Sequence, residues 1–223
     1  MKKVLAQGFT LVELLIVIAL LGIIATIVIA TINPIEQANK ARDAGYKNDA
    51  SELVSAVQRY YASQNQFPWT TLDPSTYPNA DKQFGWVSAD DSTVGLCPTT
   101  GNCQSASPAP LISSYELATS FLNKSWIGTN VAGADKLYIG KAPGASSSVY
   151  VCWVPKSSAN RQSLINSCAS NSTTSCKMMD LSSDSFSSAG TPLQASTDTC
   201  GSPNSTNWTD FSSLPKCAEC VPE

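Results

Sequence analysis

The sequence predicts an α+β protein: a long N-terminal α-helix, transmembrane in its first half and amphipathic in its second, packed on an antiparallel β-sheet head with a disulfide-rich, irregular C-terminal region. Three observations predict it. From Phe9 to Ile32, 19 of 24 residues are hydrophobic. Beyond Pro34, the residues Ala50, Leu53, Val54, Val57 and Tyr61 fall at i, i+3, i+4, i+7 and i+11, a helical period. Around residue 145 the period changes: Lys136–Gly140 and Ser148–Val154, separated by the turn-forming Ala142-Pro-Gly-Ala145, read as a β-hairpin.

The first element begins after Met-Lys-Lys and Val4 to Gly8. Glu13 is the only charge in its apolar stretch, and the next is Glu36. The uncharged run from Leu14 to Ile35 is about 33 Å long as a helix, which matches a bilayer core of about 30 Å. Lys2 and Lys3 before it, against Glu36 after it, place the N-terminus in the cytoplasm and the rest outside. An ordinary secretory signal has a shorter apolar stretch and a small-residue cleavage site, for which Ala25 and Ala30 are the weak candidates. A plain anchor is the simpler reading, but an unpaired carboxylate inside a span costs about 2.5 to 3.5 kcal/mol. Glu13 therefore wants a cationic partner or a snorkelling path to the interface. The span itself offers no Lys or Arg.

Lys2, Lys3, then Gly8-Phe9-Thr10-Leu11-Val12-Glu13 and an unbroken apolar run resemble the class III leader of type IV pilins and type II secretion pseudopilins. The resemblance covers about the first 35 residues and extends as a length pattern to about residue 68. It implies that a prepilin peptidase cuts between Gly8 and Phe9, removes residues 1–8, and N-methylates Phe9. It also implies that Glu13 pairs with the new amine of a neighbouring subunit, which makes it an assembly residue. Gly22 matches the family's usual glycine. The family's helix-breaking proline is replaced by Ala30 here, and Pro34 stands four residues later. The resemblance therefore implies a helix bend associated with Gly22 and Pro34, with local unwinding expected at Asn33.

Residues 9–35 are then the membrane and filament-core helix, and 36–67 its amphipathic continuation and exit loop. Glu36 with Lys40 and Asp43 with Lys47 are acid-first i, i+4 pairs on an exposed face. The helix is expected to run from Phe9 to about Ala62, with Phe67-Pro68 closing the segment. Residues 68–223 form an extracytoplasmic head. Ser113-x-x-Glu116 reads as a capping box opening a short helix with Leu117, Phe121 and Leu122 on its apolar face. Residues 156–223 contain 24 Ser or Thr in 68, poor in core formers. Four sequons, at Asn123, Asn171, Asn204 and Asn207, are of a kind common in such sequences.

The eight cysteines, Cys97, Cys103, Cys152, Cys168, Cys176, Cys200, Cys217 and Cys220, all fall in the head. In an exported domain an even number reads as a disulfide framework. Close spacing favours Cys97 with Cys103 and Cys168 with Cys176, and leaves the other pairings open. Cys217-Ala-Glu-Cys220 also has the spacing of a redox pair or half a zinc site, yet it lacks the flanking βαβ pattern and a second pair.

No histidine occurs in the 223 residues, so His-based triads, dyads and zinc sites are excluded. The net charge of −3 makes generic nucleic-acid binding unfavourable, and no direct nucleic-acid contact is expected. Asp90-Asp91 is the densest acidic pair and a candidate calcium loop or, more simply, a solvated turn. No catalytic constellation and no cofactor or metal site is predicted. The resemblance implies as partners the cytoplasmic membrane, a prepilin peptidase, further pilin copies and the assembly machinery. A type IV pilus subunit is favoured over a secretion pseudopilin by its large, cysteine-rich head. A monomeric, membrane-anchored domain binding a ligand through Trp69, Trp86 and Trp208 is the reading from a different class.

Overall fold

The computed structural model describes residues 8–31, 33–104, 107–168 and 176–222. The chain divides into two compact units, one up to Ala38 and one from Asn39 on. In the first, α1 (Leu11–Thr31) is apolar all round and carries a single charge, Glu13. Leu11–Ile29 has a mean hydropathy of 3.0, and its large apolar side chains are exposed. A helix with no polar face belongs in a bilayer or in the core of an assembly. Thr26 fits such surroundings because its hydroxyl donates to the Ile23 carbonyl at 2.7 Å.

The single helix expected from Phe9 to about Ala62 is two helices. α1 runs without interruption through Gly22, and Asn33 lies outside any helix. Pro34 is the first residue of α2 (Pro34–Gln64). With no N–H to contribute and a fixed φ, proline is poorly suited to a helix interior and well suited to a helix start. Asn33 completes that start by accepting from Glu36 N through its Oδ1 at 3.2 Å.

In the second unit α2 buries Ala50, Leu53, Val54 and Val57, with Tyr61 half-buried beside them, as the helical period predicts. α3 (Pro68–Leu72) follows. A four-stranded antiparallel sheet has the order β1 (Phe84–Ser88), β2 (Leu137–Lys141), β3 (Val149–Trp153), β4 (Glu219–Val221). The hairpin is in register from Leu137 opposite Trp153 to Lys141 opposite Val149. Alternation then sorts the side chains. Leu137, Ile139, Val149, Val151, Trp153 and Val221 join the α2 face in the main core. Trp86, Tyr138, Cys152 and Cys220 face the other way, under Leu181 and Ala218.

The Ser/Thr-rich C-terminal region is thus a third layer. It covers the outer face of the sheet and has its own small core of Val154, Leu164, Ile165, Met178 and Trp208. An 11-residue helix that the sequence reading missed, α5 (Ser158–Cys168), contributes Leu164 and Ile165 to it. The cysteines pair as Cys97–Cys103, Cys152–Cys220, Cys168–Cys176 and Cys200–Cys217. Cys217 and Cys220 therefore do not pair with each other. They tie the C-terminal segment to two different places, one of them the β3–β4 pair in which Cys152 lies opposite Cys220.

The free edge of β1 is blocked by a side chain. Trp86 N donates to Asp184 Oδ1 at 2.6 Å, and a Cβ on Gly85 would stand 2.7 Å from that oxygen. Glycine is needed at 85 so that the carboxylate can reach the strand. Phe186 stacks on Trp86 with ring centroids 5.0 Å apart, and the exposed edge is covered.

Three expectations are corrected. Ser113 ends a helix, α4 (Pro110–Ser113), instead of capping one. Pro110 starts that helix earlier, and the chain then turns through Tyr115 at φ 60°. Leu117 and Phe121 are still buried, but Phe121 and Leu122 sit in a 3-10 turn, Thr119–Asn123. Asp43 is buried, so it is not part of an exposed pair with Lys47. Trp69, Trp86 and Trp208 are also buried and offer no surface to a ligand. Trp69 belongs to a stack, Tyr61–Phe67–Trp69–Phe84, with successive centroids 4.5, 4.7 and 4.3 Å apart, that joins the end of α2 to β1.

Candidate functional site

Gly8, Phe9 and Thr10 precede α1 in non-helical conformation, and all three are exposed. The Gly8–Phe9 peptide bond thus lies in a segment open to an enzyme, next to the helix that would hold it at a membrane. Phe9 itself is 81% exposed.

Thr10 is the N-cap of α1. Glu13 N donates to Thr10 Oγ1 at 3.2 Å, Thr10 N donates to Glu13 Oε2 at 3.0 Å, and Thr10 Oγ1 donates to the same oxygen at 2.8 Å. Leu14 N donates to the Thr10 carbonyl at 3.2 Å. This is a reciprocal capping box, in which the N-cap and the residue three later satisfy each other's backbone donors. Sequence reasoning missed Thr10, although the Thr-x-x-Glu spacing before an apolar run was the signal that could have found it. Glu13 also sits where the helix dipole favours a negative charge. Both bonds use Oε2, and a carboxylate has about four lone-pair sites, so acceptor capacity is left for an incoming ammonium.

Gly22 and Pro34 are not brought to this site. Gly22 lies mid-helix, and a Cβ there would meet nothing within 4 Å. Lys2 and Lys3 lie outside the described residues, as do Ile32 and the sequon at Asn171.

The head's polar groups are engaged in holding it together. Asp43 accepts from Lys156 N, Ser157 N, Asn160 Nδ2 and Arg42 Nη1 at 2.9 to 3.2 Å. It thereby fastens α2 to the start of α5. Asp49 accepts from Lys124 Nζ at 2.7 Å and from the Trp126 indole N–H at 3.1 Å. Asp90, the calcium candidate, is fully buried and holds Lys136 Nζ at 2.8 Å and Gly128 N at 3.1 Å. Asp91 accepts from Thr93 N and Oγ1. Among the described residues, no three Asp, Glu, His or Cys side chains cluster as a metal site.

The buried Lys141 has an unusual setting. Its ammonium donates to the carbonyls of Ala80, Ala142 and Gly144 at 2.6 to 3.0 Å, and burial lowers its pKa while Asp81 partly opposes the shift. It closes the hairpin turn onto the loop before β1. Tyr138 Oη donates to the Gly133 carbonyl at 3.0 Å, and its pKa is pushed up to about 12, first by burial and then by Asp90.

A model of the prokaryotic N-terminal methylation motif matches residues 5–29. Neither the curated proteins nor the solved structures provide a match to this chain. The matched stretch contains the exposed Gly8–Phe9 bond, the Thr10–Glu13 capping box and most of α1. The N-terminal segment of this chain therefore carries the prokaryotic N-terminal methylation motif, which supports its resemblance to the class III leader of type IV pilins and pseudopilins.

Proposed function

We propose that this protein is a structural subunit that a prepilin peptidase processes and that then polymerises into a type IV pilus-like filament serving adhesion, motility or DNA uptake. The observation that carries the reading is one carboxylate, Glu13, at the third position of a helix that is otherwise apolar on every side and directly follows the exposed Gly8–Phe9 bond. Cleavage there creates an ammonium on Phe9, and methylation keeps its charge. In a low-dielectric setting a lone carboxylate is costly and a matched ion pair much less so. Pairing Glu13 of one subunit with Phe9 of the next favours arrival in register.

Before assembly, α1 holds the precursor in the cytoplasmic membrane with Lys2 and Lys3 on the inner side. Afterwards the α1 helices form the filament core and the second unit its surface, outside the cell or in the periplasm. Straightening or unwinding between Gly22 and Pro34 would adjust the helix to the filament. A pilus is preferred to a secretion pseudopilus because a head with four disulfides suits an exposed fibre.

Glu13→Leu tests this reading. The variant is expected to lose its leader normally, as read by the mass of the mature chain, and to be absent from the sheared fibre fraction. Fibres of Glu13→Leu at the wild-type level would reject the pairing role, and unchanged surface activity of the unassembled variant would favour a monomeric anchored domain.

A further inference from the structure

A pocket of about 280 Å³ lies where the end of α2 meets the loop before β1. Tyr61, Asn65 and Gln66 line it from the helix end, and Asn79, Ala80 and Asp81 line it from the loop. Tyr61 is half-buried, whereas Asn65, Gln66, Asn79 and Asp81 are exposed. Sites that enclose a drug-sized ligand run to about 300–1,000 Å³, so this one takes a smaller piece.

The loop is held from two sides. Asn79 Oδ1 accepts from Asp81 N at 3.0 Å and from Lys82 N at 3.2 Å. Asp81 Oδ1 accepts from Ala145 N at 2.7 Å, and the Asp81 carbonyl accepts from Gly144 N at 2.8 Å. The buried Lys141 ammonium donates to the Ala80 carbonyl at 2.8 Å and to the carbonyls of Ala142 and Gly144. Burying an ammonium against carbonyls alone is costly. What it secures here is the placement of residues 80 and 81 against the hairpin turn.

These bonds decide which atoms are left for a ligand. With both Oδ1 atoms engaged, Asn79 Nδ2 is a donor and Asp81 Oδ2 an acceptor, neither with a partner among the described residues. The side-chain amides of Asn65 and Gln66 and the Tyr61 hydroxyl are also without partners among them. The Tyr61 ring is steadied by stacking on Phe67 at 4.5 Å.

We propose that this pocket binds one sugar unit of a carbohydrate. A sugar hydroxyl both donates and accepts, so neighbouring hydroxyls can satisfy a fixed amide donor and a fixed carboxylate acceptor together, while sugar C–H groups pack on an aromatic side chain. An anion is disfavoured because, among the described residues, no Lys or Arg lines the pocket. A cation would find one carboxylate, which already accepts from Ala145 N and is attracted to Lys141. Because the loop is fixed in advance, little ordering cost is left for binding. Two sources share this chemistry: a free sugar and a unit of a longer glycan. The inference rests on the second unit alone and does not depend on cleavage or polymerisation.

The test uses the full chain, labelled with nitrogen-15, in dodecylphosphocholine micelles, which carry no sugar. Methyl glycosides of glucose, galactose, mannose and N-acetylglucosamine are titrated in turn, and the side-chain amide resonances of Asn65, Gln66 and Asn79 are followed. At least one glycoside is expected to move them saturably. Asn79→Asp turns the free donor into an acceptor, and Asp81→Asn turns the free acceptor into a donor. Each keeps the Oδ1 that accepts from the backbone, so backbone resonances away from the loop should stay in place while binding weakens at least about tenfold. The same chain is then applied to immobilised glycans. Retention that the active glycoside competes away supports a glycan unit, and glycoside binding without retention supports a free sugar. No saturable shift with any of the four glycosides, the same shift with glycerol at matched hydroxyl concentration, or unchanged binding by both variants would overturn the proposal.

Discussion

At the scale of single residues, carboxylates carry most of the specific work. Glu13 completes the Thr10 capping box and so has a folding role besides the assembly role proposed for it. Thr10→Val should weaken the start of α1 by about 1 kcal/mol, seen as faster amide exchange at Val12 and Glu13. Unchanged exchange would show that the cap does not hold the helix end. Asp43 is surrounded by donors, and an amide in its place would turn hydrogens toward them. Asp43→Asn should therefore cost about 3 kcal/mol, a fall of about 10 °C in Tm by calorimetry, whereas the exposed Glu52→Gln on the same helix should change little. Equal Tm values for the two would remove Asp43 as the fastener of α2. Tyr138 gives a pH signature. Its folded pKa of about 12 lies above the ordinary 10.0, so between those values the folded state keeps a proton that the unfolded chain loses. Stability should fall as pH rises from 10 to 12, with no contribution below 10. Tm of Tyr138→Phe should decline less steeply over that window; parallel slopes would contradict the assignment.

At the scale of elements, legibility followed pattern length and polarity. The α2 stripe and the hairpin could be read because Leu53, Val57, Leu137, Ile139 and Val151 repeat at clean periods. β1 and β4 could not, because one is five residues with an irregular register between Phe84 and Val87 and the other is only three residues long. α5 was missed because SANRQSLINSC presents just Leu164 and Ile165 to a core. Ser113-x-x-Glu116 misled because Pro110 starts its helix three residues sooner. Glu116 instead accepts from Arg59 Nε at 3.0 Å. The pairing of Cys152 with Cys220 was not legible either, since it depends on β3 and β4 lying side by side. That bridge closes 68 residues against 8 for Cys168–Cys176. Loop-closure entropy assigns the two about 4 and about 2.5 kcal/mol. Removing Cys152–Cys220 should accordingly lower the denaturant midpoint more than removing Cys168–Cys176. The reverse order would mean that the C-terminal layer holds to the sheet without its bridge.

At the scale of the whole molecule, the N-terminal methylation motif was legible because it is linear: a motif over residues 5–29 needs no tertiary contact to be recognised. The head's chemistry was not, since the settings of Asp43 and Lys141 exist only once the head has packed. The proposed polymerisation would also account for the composition. Removal of residues 1–8 would take away Lys2 and Lys3, so 12 of the 14 basic side chains would remain against 17 acidic ones. The mature surface would be more acidic than the precursor, while the exposed apolar face of α1 would find its cover in other copies. The most direct test of that claim is mass spectrometry of the N-terminal peptide from sheared surface fibres. The chain in the fibre is expected to begin at N-methylated Phe9 and to retain α1. An intact Met1, or a start after Ala25 or Ala30, would contradict it.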